Sequence, residues 1–188
     1  EPDKGNIFFE NENIKKLDVA ARCRKGIARS FQIPQPFSGM TVLENALVSA
    51  TQGANISIGN AENHCIDILE LTGLLRKANT MAGELTLLER KRLELAKALA
   101  TKPKILLLDE IAGGLTEQEC QVLIKVILNI MRENISIIWI EHVVHALLSV
   151  VQRLLVLDFG TKVADGNPSE IMKSKTVQKI YLGIDADG

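Results

Sequence analysis

The alternation of apolar and polar positions changes period several times along the chain. Residues 5–9 and 26–32 carry short apolar runs of strand character, and Pro34 and Pro36 force the stretch 31–39 into an extended, non-helical loop. From Thr41 the pattern turns helical. Thr41-Val-Leu-Glu44 has the T-x-x-E form in which a threonine side chain and a glutamate three residues on satisfy each other's backbone N–H, so a helix is predicted over 41–50, broken by 53–59. Residues 61–75 place Ile66, Ile68, Leu69, Leu71 and Leu74 at helical spacing. A second capping box, Thr86-Leu-Leu-Glu89, stands ahead of a helix over 90–100.

Beyond Lys104 the helical period disappears. Ile105-Leu-Leu-Leu108 is a continuous apolar run between Pro103 and Asp109, the pattern of a strand buried on both faces of a parallel sheet. Thr116-Glu-Gln-Glu119 is a third capping box, leading into Val122, Leu123, Val126, Ile127 and Ile130 on one helix face, and then into a strand over 135–140. Strand, helix and strand of this length predict a βαβ crossover, whose ligands bind beyond the carboxyl ends of the strands. Residues 151–158 and 161–165, joined through Phe159-Gly160, read as a hairpin; Asn167-Pro-Ser-Glu170 caps a helix, and a last amphipathic helix covers about 175–182.

Composition narrows the class. At 188 residues, 46% hydrophobic and 24% charged, the chain can bury one sizeable core. With 22 Lys+Arg against 23 Asp+Glu, the bulk charge gives no reason to expect nucleic acid or an anionic membrane as partner. Cys23, Cys65 and Cys120 are odd in number and far apart, which argues against a disulfide framework or a zinc site and for a reducing compartment. No apolar run approaches the roughly 20 residues of a membrane helix. The opening Glu-Pro-Asp-Lys-Gly has neither the features of a signal peptide nor an initiator Met, so the expectation is a chain that has been processed, cut or only partly represented.

Four places could carry chemistry. Asp109-Glu110 puts two carboxylates where an apolar strand meets a loop, one suited to hold Mg²⁺ and the other to orient or deprotonate water; the competing reading is a solvated strand end. His142 follows a strand expected beside the first, where an imidazole could reach a phosphate oxygen and the attacking water, or serve structure alone. His64 and His145 have no partner motif, and His145 is expected on the following helix. The helix opened by Thr86 presents its first N–H groups and positive dipole end to an anion, although the capping box already satisfies those groups, and Arg90, Lys91 and Arg92 also read as a solvated basic face. Gln32 lies in the extended loop ahead of the two prolines.

Taken together and in order, these residues resemble the ATP-binding subunits of ABC transporters across essentially all of the chain. Gln32 stands at the Q-loop, Leu85 to Glu89 at the signature motif, Ile105 to Glu110 at Walker B, Gly113-Gly114-Leu115-Thr116 at the D-loop, and His142 at the switch histidine. Residues 26–37, Met40-Thr-Val-Leu-Glu-Asn45, Ala82-Gly-Glu-Leu-Thr-Leu87 and Tyr181-Leu-Gly183 are similar to the subfamily that energises import of branched-chain amino acids.

The resemblance implies an α/β fold of the P-loop NTPase type, with a mostly parallel sheet, an inserted α-helical subdomain and an incomplete N-terminal part. Its expected division is residues 1–40 as part of the ATPase core ending in the Q-loop, 41–100 as the helical subdomain that docks on a membrane partner, and 101–188 as the remaining core. It implies ATP and Mg²⁺ as ligands, with Asp109 and Gln32 on the metal, Glu110 as catalytic base and His142 on the γ-phosphate. Gln32 would sense the membrane partner, and Thr86, Leu87, Leu88, Glu89 and Gly114 would contact nucleotide. Transmembrane permease subunits, a second ATP-binding subunit in a homo- or heterodimer, and a place on the cytoplasmic face of the cell membrane follow, with no nucleic acid.

The chain departs from the family at several points. Residues 1–188 contain no G-x-x-x-x-G-K-[ST] phosphate loop, which the resemblance expects ahead of Glu1. Leu88 stands where the signature motif usually has its second glycine, Thr116 where the D-loop usually has Asp or Asn, and Ile111 where a Pro usually follows the carboxylate pair. The alternative function is therefore a non-catalytic remnant that keeps the fold and the docking surface without productive ATP binding.

Overall fold

The computed structural model describes residues 2–182, which form two compact units, 2–143 and 144–182. Gly183, the last residue of the terminal stretch quoted above, lies outside the described residues, as does Glu1.

The first unit opens with β1 (Phe8–Phe9) and β2 (Glu12–Asn13), an antiparallel pair. The strand expected over 5–9 is thus only two residues long, because Glu10 and Asn11 both adopt positive φ and turn the chain back. Helix α1 (Val19–Arg24) follows, capped by Asp18, whose carboxylate accepts from Ala21 N at 2.6 Å. No apolar stripe announces it: none of its residues is buried and Val19 is 83% exposed.

Strand β3 (Ile27–Arg29) leads through the loop to α2 (Val42–Gly53), α3 (Ile58–Leu71) and α4 (Leu87–Ala100). These three helices share one core, built on Val42, Ala46, Cys65, Leu69, Leu93 and Ala96, all out of contact with solvent. The capping boxes fix where the helices start. Thr41 N donates to Glu44 Oε2 at 2.7 Å and Glu44 N to Thr41 Oγ1 at 3.2 Å; Thr86 N donates to Glu89 Oε2 at 2.9 Å and Glu89 N to Thr86 Oγ1 at 3.3 Å.

Strand β4 (Ile105–Asp109), helix α5 (Glu117–Ile130) and strand β5 (Ser136–Ile140) complete this unit. The third capping box, Thr116 with Glu119, opens α5, which buries Leu123, Ile124, Val126, Ile127 and Ile130. The sheet is parallel in the order β3-β4-β5, with Ala28 opposite Leu106 and Leu106 opposite Ile137. One expectation needs correction. Strand β4 is fully buried on one face only: Leu106 and Leu108 are inside, whereas Ile105 and Leu107 are half-buried, and next to them on β5 Ile138 and Ile140 are 54% and 63% exposed. Side chains alternate between the faces of a sheet, and on this second face burial falls from partial on β4 to slight on β5.

The second unit contains α6 (Val144–Leu148), carrying His145, then β6 (Leu154–Asp158) and β7 (Thr161–Gly166), paired antiparallel. Phe159 and Gly160 join them, both at positive φ as a tight two-residue hairpin turn requires. Helix α7 (Pro168–Ile171) has Asn167 as its cap, and α8 (Lys175–Leu182) is the last element. No helix among the described residues is long and apolar enough to cross a membrane.

Candidate functional site

The site is assembled where β4 and β5 end. Asp109 is the last residue of β4, and Glu110 turns the chain at φ 45°, in the left-handed region that a side chain seldom occupies. Glu110 N donates to Ile140 O at 2.9 Å, which ties the turn to the end of β5. On the other side, Arg29 at the end of β3 donates through Nη2 to Asp109 Oδ2 at 2.6 Å. Gln32 Nε2 donates to Glu110 Oε2.

The loop that carries Gln32 is tied down at Gln35 and Phe37. Gln35 N donates to Glu94 Oε1 at 3.0 Å, and Lys97 Nζ bonds both Gln35 O, at 2.9 Å, and Glu94 Oε1, at 2.8 Å. Asn45, fully buried on α2, accepts from Phe37 N at 2.8 Å and donates to Phe37 O at 3.1 Å. Two prolines remove donors from this loop, and side chains of α2 and α4 bond the backbone of Gln35 and Phe37 beside them.

His142 follows β5 and is mostly exposed; its Nδ1 lies 3.7 Å from Glu110 Oε2 and 3.4 Å from Glu141 Oε1. Gly113 lies beside it, a Cβ at that position falling in ordinary van der Waals contact with His142 Cε1 at 3.5 Å. Gly114, at φ 76°, is in van der Waals range of Leu87 Cδ2, at 3.5 Å from its Cβ position. Gln32, Leu87, Lys91, Glu110, Gly114 and His142 are among the residues that line one open cavity of about 380 Å³.

Thr86, Leu88 and Glu89 do not line this cavity. Thr86 and Glu89 are engaged in their capping box, where the Thr86 N–H, above all, holds the Glu89 carboxyl below its ordinary pKa. Leu88 is half-buried in the first turn of α4. The basic run after it is a solvated face only in part, with Arg90 exposed and Arg92 half-buried. Lys91 is 4% exposed and faces the cavity, and burial pushes its pKa down, opposed by the Glu141 charge. His64 lies elsewhere, with Nε2 3.2 Å from Ala100 O and its pKa lowered chiefly by burial.

Local sequence pattern does not reveal Arg29, the burial of Lys91 or the bonds made by Glu141. Glu141 had a signal, an acid beside the histidine at a strand end. Arg29 had none, because its pairing with Asp109 depends on β3 lying next to β4.

The donor set suits Mg²⁺ that arrives with a phosphate. Asp109 keeps Oδ1 beyond its bond to Arg29, and Gln32 uses its amide nitrogen on Glu110, which leaves its oxygen. No cluster of three acidic, His or Cys side chains that could cage a metal occurs among the described residues. Mg²⁺ commonly takes one or two protein oxygens and fills its octahedron with phosphate and water, so the chemistry fits.

Comparison with known proteins gives one consistent answer. Residues 1–113 match the ABC transporter family. The chain is 32% identical over 197 residues to the high-affinity branched-chain amino acid transport ATP-binding protein LivG of Escherichia coli K12, covering 97% of this chain and 77% of LivG. It is 28% identical over 183 residues to the lipopolysaccharide export system ATP-binding protein LptB of the same organism, covering 97% of this chain and 76% of LptB. A crystal structure of the ADP conformation of an ATP-binding cassette of an ABC transporter superposes with a TM-score of 0.83 at 29% identity, covering 97% of this chain and 78% of that one.

Proposed function

Because this chain belongs to the ABC transporter family, as an ATP-binding subunit of the cassette fold, we propose that it hydrolyses ATP to drive an importer, with branched-chain amino acids as the solute. The observation that carries the proposal is the convergence of Gln32, Glu110 and His142 on one cavity at the carboxyl ends of parallel strands. Parallel α/β sheets bind ligands at that edge.

In this reading Glu110 accepts the proton of the attacking water, and Gln32, bonded to the same carboxylate, fixes the oxygen that receives it. His142 donates a hydrogen bond toward the terminal phosphate from beside Glu110. Asp109 and Gln32 would hold Mg²⁺, which when bound neutralises charge on the phosphate oxygens. Leu87 and Gly114 shape the wall of the cavity, and Thr86, Leu88 and Glu89 belong to the helix start presented to the nucleotide of a second ATP-binding subunit. Residues 1–40 and 101–188 serve as parts of the ATPase core, and 41–100 as the helical subdomain that docks on transmembrane permease subunits at the cytoplasmic face of the membrane.

The test uses the intact subunit with its permease partners in vesicles. ATP turnover that Glu110→Gln abolishes, coupled to uptake of leucine, is the expected result. Turnover without leucine uptake would move the solute toward another class, as for LptB. Absence of turnover, or turnover indifferent to Glu110→Gln, would instead favour a non-catalytic remnant.

A further inference from the structure

Glu141 carries no role in the mechanism above, yet its side chain is fully buried directly beside the exposed His142. Its carboxylate accepts four hydrogen bonds. Oε1 receives His142 N at 3.0 Å and Val143 N at 3.2 Å; Oε2 receives Ala112 N at 3.0 Å and Trp139 Nε1 at 3.3 Å. One oxygen therefore holds the backbone of His142 and the other the turn that follows Glu110. Together with the bond from Glu110 N to Ile140 O at 2.9 Å, this fixes the two elements that bring Glu110 Oε2 and His142 Nδ1 within 3.7 Å.

We infer that Glu141 is a positioning residue, a buried carboxylate clamp that sets the geometry between Glu110 and His142 by binding the backbone on both sides. The inference rests on the catalytic reading of those two residues.

An ionised carboxylate suits the place because it only accepts, and all four neighbours donate. Burying that charge is costly unless it is fully bonded and balanced. The four N–H groups provide the bonds, and Lys91, itself buried, supplies a positive charge that interacts with it. A glutamine of the same shape offers one oxygen and one NH₂. Whichever way its amide turns, one pair of N–H groups faces another donor, so either the His142 side or the Ala112 side is released.

The test measures kcat and KM for ATP in the intact subunit with its permease partners, comparing wild type, Glu141→Gln, Glu141→Asp, His142→Ala, and Glu141→Gln combined with His142→Ala. Misplacement of about an ångström costs on the order of 100-fold, so Glu141→Gln is expected to lower kcat by roughly 10- to 100-fold with KM little changed. In the His142→Ala background it should cost less than in wild type, because the part of its effect that acts through His142 is already lost. Glu141→Asp keeps the charge and retracts the acceptor; it is expected to fold and to show the same split between kcat and KM. An unchanged kcat, a KM that rises in step with the fall in kcat, or full additivity in the double variant would overturn the inference.

Amide hydrogen exchange at Ala112, His142 and Val143 separates failure of this inference from failure of the catalytic reading. If wild type proves unable to hydrolyse ATP, the catalytic reading falls. Faster exchange at either the Ala112 or the His142 and Val143 amides in Glu141→Gln still supports the clamp, and unchanged exchange at all three removes it.

Discussion

Arg29 Nη2 bonds Asp109 Oδ2 at 2.6 Å, joining the ends of two neighbouring parallel strands and placing a guanidinium on the carboxylate assigned to the metal. Both side chains are partly exposed, at 57% and 31%, so the pair is screened by solvent and is of the class worth about 0.2–1 kcal/mol. A cation reaching Asp109 competes with that guanidinium. Arg29→Gln should therefore lower the Mg²⁺ concentration for half-maximal ATP hydrolysis, by about two- to fivefold. A metal titration of the intact subunit measures this, and an unchanged or raised requirement contradicts it.

Glu110→Gln keeps the shape of the site and removes the base. General-base catalysis is worth about 10²–10⁴-fold, so kcat should fall by that order while nucleotide binding, read by equilibrium titration, stays near wild type. A fall in binding equal to the fall in turnover would reassign Glu110 to ligand binding.

Leu88 sits half-buried in the first turn of α4, where the family pattern has glycine. Leu88→Gly in the intact subunit should raise ATPase activity per folded molecule, at a cost of about 1 kcal/mol in helix stability. Unchanged or lower activity would count against the reading that a branched side chain here blocks approach to the γ-phosphate bound by a facing subunit.

The three capping boxes make a prediction about acid. The Thr41, Thr86 and Thr116 N–H groups, ahead of the other causes, hold the carboxyls of Glu44, Glu89 and Glu119 below their ordinary value of 4.5. A carboxylate whose pKa is depressed by folding contributes stability above its unfolded pKa and loses it as pH falls through the folded value. The contribution is thus complete above about pH 4.5 and declines below it. Replacing all three by glutamine should flatten stability against pH in that acidic range, as followed by urea denaturation at successive pH values. An acid response identical to wild type would show that these bonds do not persist in solution.

Gly53 ends α2 where a Cβ would stand 2.5 Å from Thr101 Cγ2 and 3.0 Å from Thr101 Cβ. Gly53→Ala should destabilise the chain by about 1–3 kcal/mol, the usual cost of overpacking. Thr101→Ser removes Cγ2 and keeps the hydroxyl that donates to Ala98 O at 2.7 Å, so it should recover much of that loss. A neutral Gly53→Ala, or no recovery in the double variant, would refute the contact.

Helices α2, α4 and α5 were legible because each begins with a threonine and a glutamate at fixed spacing, a signal that is local and chemical. Helix α1 was not, since no residue of it is buried and only Asp18 marks its start. The apolar runs of β4 and β5 marked the strands, but the expectation that β4 is buried on both faces went too far, since Ile105 and Leu107 are only half-buried. A run such as Ile137-Ile-Trp-Ile140 reads the same whether one face or both are covered, and Ile138 and Ile140 lie in solvent. At the site, adjacency in sequence revealed Asp109, Glu110 and His142. Arg29 and Lys91 came from segments whose approach is set by strand order and helix packing, which no local pattern encodes.

The single hydrogen bond from Gln32 to Glu110 has a consequence for information flow. Its loop is anchored to Asn45 on α2 at one end and to the Glu110 carboxylate at the other, so a displacement of α2 is passed to the amide that holds Glu110 Oε2. Linkage of this kind is reciprocal. A group that draws the Glu110 side chain toward it would then shift the preferred seating of α2 by the same free energy, so the loop would carry displacement outward as readily as inward.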